Sequence, residues 1–133
     1  MGQSLKNRRF MYGIGTDIIT VSRIEKALEK PNFIHKVYGE KEIALFAQGE
    51  KLKVSSLAAN FAAKEAFGKA LGTGVRGFDL FEVEALRDGL GKPYFYLTGR
   101  AKQIGESKNL VFHLSVSHEG DKAIAFVVAE TAK

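Results

Sequence analysis

The stretch "AANFAAKEAFGKALGTG" at 58–74 constrains this chain more than any other. Ala, Leu and Phe recur through it with no β-branched interruption, which predicts one long helix from Ser55 to Leu71 stopped by Gly72. Of residues 57–71 only Asn60, Lys64, Glu65 and Lys69 are polar, so the helix is covered on nearly every side and must lie inside the domain. At about 100° per residue, Glu65 and Lys69 fall among Phe61, Ala58 and Ala62, while Asn60 and Lys64 lie towards Leu71 and Phe67. Two readings follow for Glu65 and Lys69. They form a partly exposed i,i+4 ion pair, which contributes about 0.2–0.5 kcal/mol, or they line a cleft, Glu65 facing a cation and Lys69 an anion. A fully buried pair kept for stability alone is unattractive, because desolvation costs several kcal/mol per ion.

The flanking segments set the fold class. "MYGIGTDIIT" reads as a strand over 11–20. Ser22 is placed to cap a helix "RIEKALEK" that Pro31 and Asn32 stop, a helical turn follows in "NFIHKVYG", and "EKEIALFAQG" makes a helix ending at Gly49. "DLFEVEALRDGLGKPYFYLT" reads as strand, turn at Asp88-Gly89, strand. Thr98 caps a helix through "GRAKQIGESK", and "LVFHLSVSH" and "KAIAFVVAE" pair around Glu119-Gly120. Helices early and hairpins late predict an α+β fold, a mostly antiparallel sheet packed with one long buried helix and shorter helices. At 133 residues, with no internal repeat or linker, the chain is one domain over 11–133. Residues 1–10 read as an N-terminal extension or expression remnant, since Met11 opens the patterned region.

Composition narrows the function. The absence of Cys excludes thiolate catalysis, disulfides and Cys-based zinc sites. No apolar run approaches the roughly 20 residues that span a bilayer, and the N-terminus lacks the apolar core of a signal peptide, so no membrane role and a cytoplasmic location are the expectation. A net charge of +5 and a pI near 9.5 favour an anionic partner. The cations are scattered and there is no Trp, so nucleic acid is not indicated.

Three features carry chemistry. In the first strand, Gly13, Gly15 and Asp17 share a face, and paired glycines in a strand mark close approach of a ligand or another backbone. Asp17 then caps the following helix, or joins Glu65 in a two-carboxylate site of the hard-oxygen type that suits Mg2+ with substrate phosphates, with Lys64 and Lys69 beside it for phosphate. In "VFHLSVSH", His113, Ser115 and Ser117 share a face, either as structural residues or as donors to phosphate or ribose. "GTGVRG" at 72–77 follows a helix rather than a strand, so it is no dinucleotide fingerprint. Its glycines predict a tight loop near a ligand.

"GIGTDII", "FAAKEAFGKALGTG", "GKPYFYLTG" and "FHLSVSH" together resemble the small bacterial holo-acyl-carrier-protein synthases, a branch of the 4′-phosphopantetheinyl transferases, in order and spacing over about residues 11–130. The resemblance implies Mg2+-dependent transfer of 4′-phosphopantetheine from coenzyme A to a serine of apo acyl carrier protein, releasing adenosine 3′,5′-bisphosphate, in fatty acid biosynthesis. It implies Asp17 and Glu65 as metal ligands, with Lys69 neutralising the diphosphate and assisting the leaving group. Lys64, Lys69, His113 and Ser115 become the coenzyme A contacts. It further implies a homotrimer with sites between subunits, so that His113 serves a neighbour's Asp17 and Glu65, and an acidic carrier-protein partner met by Arg23 and Lys30. Two positions depart from the family pattern: Asn60 stands where many relatives have Arg, and of the usual Leu-Thr-x-x-Glu only Glu42 is kept. Asn60 leaves open a second reading, a non-catalytic coenzyme A or nucleotide-binding module of the same fold.

Overall fold

The computed structural model describes residues 10–46 and 53–132. Strand β1 (Met11–Thr20) leads into helix α1 (Val21–Ala27), short helices α2 (Phe33–Val37) and α3 (Glu40–Phe46), and the long α4 (Val54–Leu71). A 3-10 turn at Leu80–Glu82 opens β2 (Val83–Arg87), followed by β3 (Pro93–Leu97), α5 (Gly99–Ser107), β4 (Leu110–Glu119) and β5 (Lys122–Thr131). Both sheets are antiparallel: a three-stranded one in the order β1-β5-β4, and the two-stranded β2-β3 hairpin. The α+β arrangement and the five strands are those expected, except that Leu80–Glu82, read as the start of the β2 strand, form the 3-10 turn. The expected end of the third helix, Gly49, lies outside the described residues.

Helix α4 is the centre of the fold. Its Ala58, Ala59, Ala62, Ala63, Ala66 and Ala70 are all at most 3% exposed, and this small-residue surface lets β1 and β5 lie close against it. The glycines of β1 make that approach possible. A Cβ on Gly13 would stand 2.1 Å from the Ala70 carbonyl oxygen, and one on Gly15 2.0 Å from that of Ala66. The neighbour that the two glycines accommodate is therefore the backbone of α4. On the other side of α4, Phe67 stacks against Phe78, Phe95 and Phe112, with ring centroids 4.5–5.4 Å apart, which anchors the hairpin and β4. Gly72 ends α4 in the left-handed region at φ 85° and bonds back to Lys69 O, as the sequence predicts.

Several local expectations are corrected. Ser22 lies inside α1; the carboxylate of Asp121, from the β4–β5 turn, accepts its N–H at 3.1 Å and its Oγ–H at 3.0 Å, capping the helix from outside. Thr98 makes no side-chain cap to α5. Lys30 lies beyond α1, on the turn that follows Ala27. The β2–β3 connection is longer than the Asp88-Gly89 pair: Asp88 Oδ1 accepts from the N–H groups of Leu90 and Lys92, and Gly91 takes φ 86°. The glycine loop after α4 folds back on the helix itself, Gly74 N–H donating to Gly68 O at 3.0 Å.

Because a methyl group at Gly15 would drive into helix backbone, Gly15→Ala is expected to destabilise the chain by about 1–3 kcal/mol, the usual range for overpacking. Urea denaturation measures this, and a loss below about 0.5 kcal/mol would contradict the close contact.

Candidate active site

The buried charge of α4 is Lys64. Its side chain is 0% exposed, and Nζ donates to Glu42 Oε1 at 2.6 Å, Val83 O at 2.6 Å and Leu80 O at 3.1 Å. All three ammonium protons are thus used, so Lys64 is not free to contact a phosphate as the sequence reading expected. The helical angle of Lys64 is right; what the sequence does not display is that β2 and α3 cover that side.

Glu42, also fully buried, accepts from Gly39 N and Ala85 N, each at 3.0 Å, and from Asn60 Nδ2 at 2.8 Å. Burial pushes the Glu42 carboxyl up and the Lys64 ammonium down, while the contact between them opposes both shifts. Such a pair is retained only with complete hydrogen bonding, and no fully buried side-chain nitrogen or oxygen among the described residues lacks a partner. Asn60 belongs to the same network: its amide also donates to Ala85 O at 2.8 Å, and its Oδ1 accepts from Arg87 Nη2 at 2.9 Å. Sequence reasoning missed Arg87 and saw Glu42 only as a retained acid. The network locks α4 against α3 and the hairpin, fixing the direction in which the next residue, Glu65, points.

Glu65 and Lys69 emerge where α4 crosses β1. Lys69 pairs with Asp17 rather than with Glu65: Nζ lies 3.2 Å from Asp17 Oδ1 and donates to Thr16 O at 2.9 Å. The Lys69 side chain is 55% exposed and that of Asp17 21%, so the pair sits at the protein surface. The Glu65 carboxyl is held above its ordinary value, first by partial burial and then by the negative charge of Asp17, with Lys69 pulling the other way. Asp17, close enough to raise the Glu65 carboxyl, and Lys69 thus meet Glu65 at the crossing.

This donor set suits a hard divalent cation. Mg2+ takes one or two carboxylates and completes its shell with substrate phosphates and water. Among the described residues no group of three or more His, Cys, Asp and Glu is placed to hold a metal. Asp17 and Glu65 would be the protein ligands.

His113 and Ser115 lie elsewhere. Asp17 pairs with Ala125, which pairs with Val116, and that row faces α4; His113 and Ser115 sit in the alternate rows, with Val128 and Phe126, on the outer face. His113 Nε2 lies 2.8 Å from Glu130 Oε1 there. Within one chain the sheet therefore separates His113 and Ser115 from Asp17 and Glu65. Arg23 is exposed on α1, as is Lys30 on the turn beyond it.

Glu65→Gln removes a carboxylate whose charged form the fold disfavours. Its folded pKa lies above the unfolded one, so the cost of the charge is full at neutral pH and vanishes as pH falls below the ordinary carboxylate range. In chelator at neutral pH, Glu65→Gln is expected to melt above wild type in thermal denaturation, with the advantage gone in strong acid. A lower melting temperature at neutral pH would contradict the strained carboxylate.

Residues 13–127 match the family profile described as the 4′-phosphopantetheinyl transferase superfamily. A holo-[acyl-carrier-protein] synthase of Clostridium beijerinckii is 47% identical over 119 residues, covering 89% of this chain and 96% of the relative. The crystal structure of the holo-[acyl-carrier-protein] synthase from Neisseria meningitidis is 39% identical and superposes with a TM-score of 0.82 over 90% of this chain and 98% of that one. The Helicobacter pylori holo-[acyl-carrier-protein] synthase, solved in complex with coenzyme A, is 32% identical with a TM-score of 0.75, over 87% and 98% of the two chains. The chain belongs to the 4′-phosphopantetheinyl transferase superfamily.

Proposed function

We propose that this protein transfers 4′-phosphopantetheine from coenzyme A to a serine of an apo acyl carrier protein, in the service of fatty acid biosynthesis, and that it does so with Mg2+. The observation that carries the proposal is the convergence of Asp17, Glu65 and Lys69 where β1 crosses α4. The names of the relatives and the coenzyme A bound to the Helicobacter pylori protein support it. In the reaction the serine Oγ gives up its proton to Glu65 or to water and bonds to the phosphorus that carries pantetheine, the pyrophosphate bridge breaks, and adenosine 3′,5′-bisphosphate leaves. Such a transfer needs positioning and charge neutralisation more than a covalent enzyme intermediate. Asp17 and Glu65 would hold the metal ion, which would supply positive charge against the diphosphate and Lewis acidity for the attacking hydroxyl. Lys69, on an exposed four-carbon stem, offers its ammonium to the departing 5′-phosphate of the adenosine bisphosphate. Lys64 holds the helix in place and takes no part in binding.

The rest of the site comes from a second copy in a homotrimer. The outer face of the three-stranded sheet carries Ile14, Ile18, Ile124 and Phe126, from 40% to 61% exposed, an apolar surface of the kind that marks an interface. His113 and Ser115 share that face and would reach coenzyme A held by a neighbour's Asp17 and Glu65. The acidic carrier protein docks near Arg23 and Lys30, and the net charge of +5 favours its approach. No helix among the described residues is long and apolar enough to cross a membrane.

The test mixes the protein with apo acyl carrier protein, coenzyme A and Mg2+, and weighs the carrier by mass spectrometry. The expected result is a gain of one phosphopantetheine, and a loss of at least about 100-fold in rate for Glu65→Gln, the size of a removed electrostatic stabiliser. No mass gain with any carrier would leave a non-catalytic coenzyme A-binding module as the function, and a near-wild-type rate for Glu65→Gln would remove Glu65 from the site.

A further inference from the structure

Lys69 follows Glu65 by one turn of α4, and its ammonium rests on Asp17 Oδ1 at 3.2 Å and Thr16 O at 2.9 Å. The carboxylate it engages is one of the two assigned to the metal. Glu65 is the other, and Lys69 also acts on its charge. A divalent cation shared by Asp17 and Glu65 would therefore meet a positive charge already seated on one of its two ligands, and like charges on a shared carboxylate repel, less so where solvent screens them. The ammonium is also easily displaced. Its side chain is 55% exposed, it stands on a four-carbon stem, and exposed ion pairs of this kind are weak.

We propose that Lys69 is a competing counter-ion of the metal site. In the chain alone it weakens divalent-cation binding; when the diphosphate of coenzyme A arrives, the ammonium leaves Asp17 for the phosphate oxygens and the competition ends. Metal and donor then bind with positive coupling, each strengthening the other by the same factor. This deepens the transferase reading and rests on the assignment of Asp17 and Glu65 to the metal. It gives Lys69 opposite effects at two stages: against the metal before the donor binds, and for the diphosphate afterwards.

The experiment titrates Mn2+ into the full chain and follows free Mn2+ by electron paramagnetic resonance, first without any nucleotide. Lys69→Met is expected to bind Mn2+ about three- to tenfold more tightly than wild type, the effect of removing one partly screened like charge. Lys69→Arg, which keeps the charge, is expected to stay within about twofold of wild type. Added coenzyme A should then tighten Mn2+ binding more in wild type than in Lys69→Met. Detectable binding that Lys69→Met leaves equal or weaker overturns the competition, and equal tightening by coenzyme A in both proteins overturns the coupling. Mn2+ that binds neither protein, or that binds Asp17→Asn as tightly as wild type, overturns the metal assignment itself and the inference with it.

Discussion

The backbone contact between β1 and α4 is the constraint on which the rest of the molecule depends. With a Cβ at Gly13 or Gly15 the strand would stand off from Ala66 and Ala70, and Asp17 would move away from Glu65 and Lys69. Glycine in a strand costs conformational entropy and leaves nothing to pack. That cost is offset by Ala-rich burial on α4, and the contact holds Asp17, Glu65 and Lys69 on two rigid elements rather than on loops. Rigid placement matters here because the chemistry relies on where charges stand.

The charges of α4 divide the work. Lys64, wholly buried, is fixed to Glu42, Leu80 and Val83 and ties the helix to α3 and the hairpin. Glu65 and Lys69 come out at the edge of the β1 crossing, where solvent reaches them. Asn60, the position that most weakened the family comparison, is part of the Lys64 network through Glu42, Ala85 and Arg87. Its burial gives it a structural task inside the domain.

The elements themselves were readable from the chain because their signals are local: β-branched alternation in 11–20, Ala and Leu continuity up to Gly72, and apolar alternation on both sides of Glu119-Gly120. Asp17, Glu65 and Lys69 were legible as a set because strand and helix periodicity assign each a face. Periodicity gives a direction but not the neighbour lying there, so the angle of Lys64 could not reveal that Glu42 and β2 enclose it. The α1 cap was hidden for the same reason, since Asp121 lies nearly the whole chain away from Ser22. The glycine loop after α4 was read as a ligand contact, yet its close neighbour is Gly68 of the helix before it.

His113 faces the opposite side of the sheet from Asp17, and no rotamer carries a side chain through a sheet. If both serve one reaction, two chains must meet, and the apolar outer face is where they would do so. Mixing two crippled variants tests this most directly: Glu65→Gln chains and His113→Ala chains, each assayed alone and then co-refolded together, with transfer to apo acyl carrier protein as the readout. The account predicts that each variant alone is strongly impaired and that the mixture recovers a substantial fraction of wild-type activity, from sites pairing an intact Glu65 on one chain with an intact His113 on another. A mixture no more active than the average of its two components would contradict a site shared between copies.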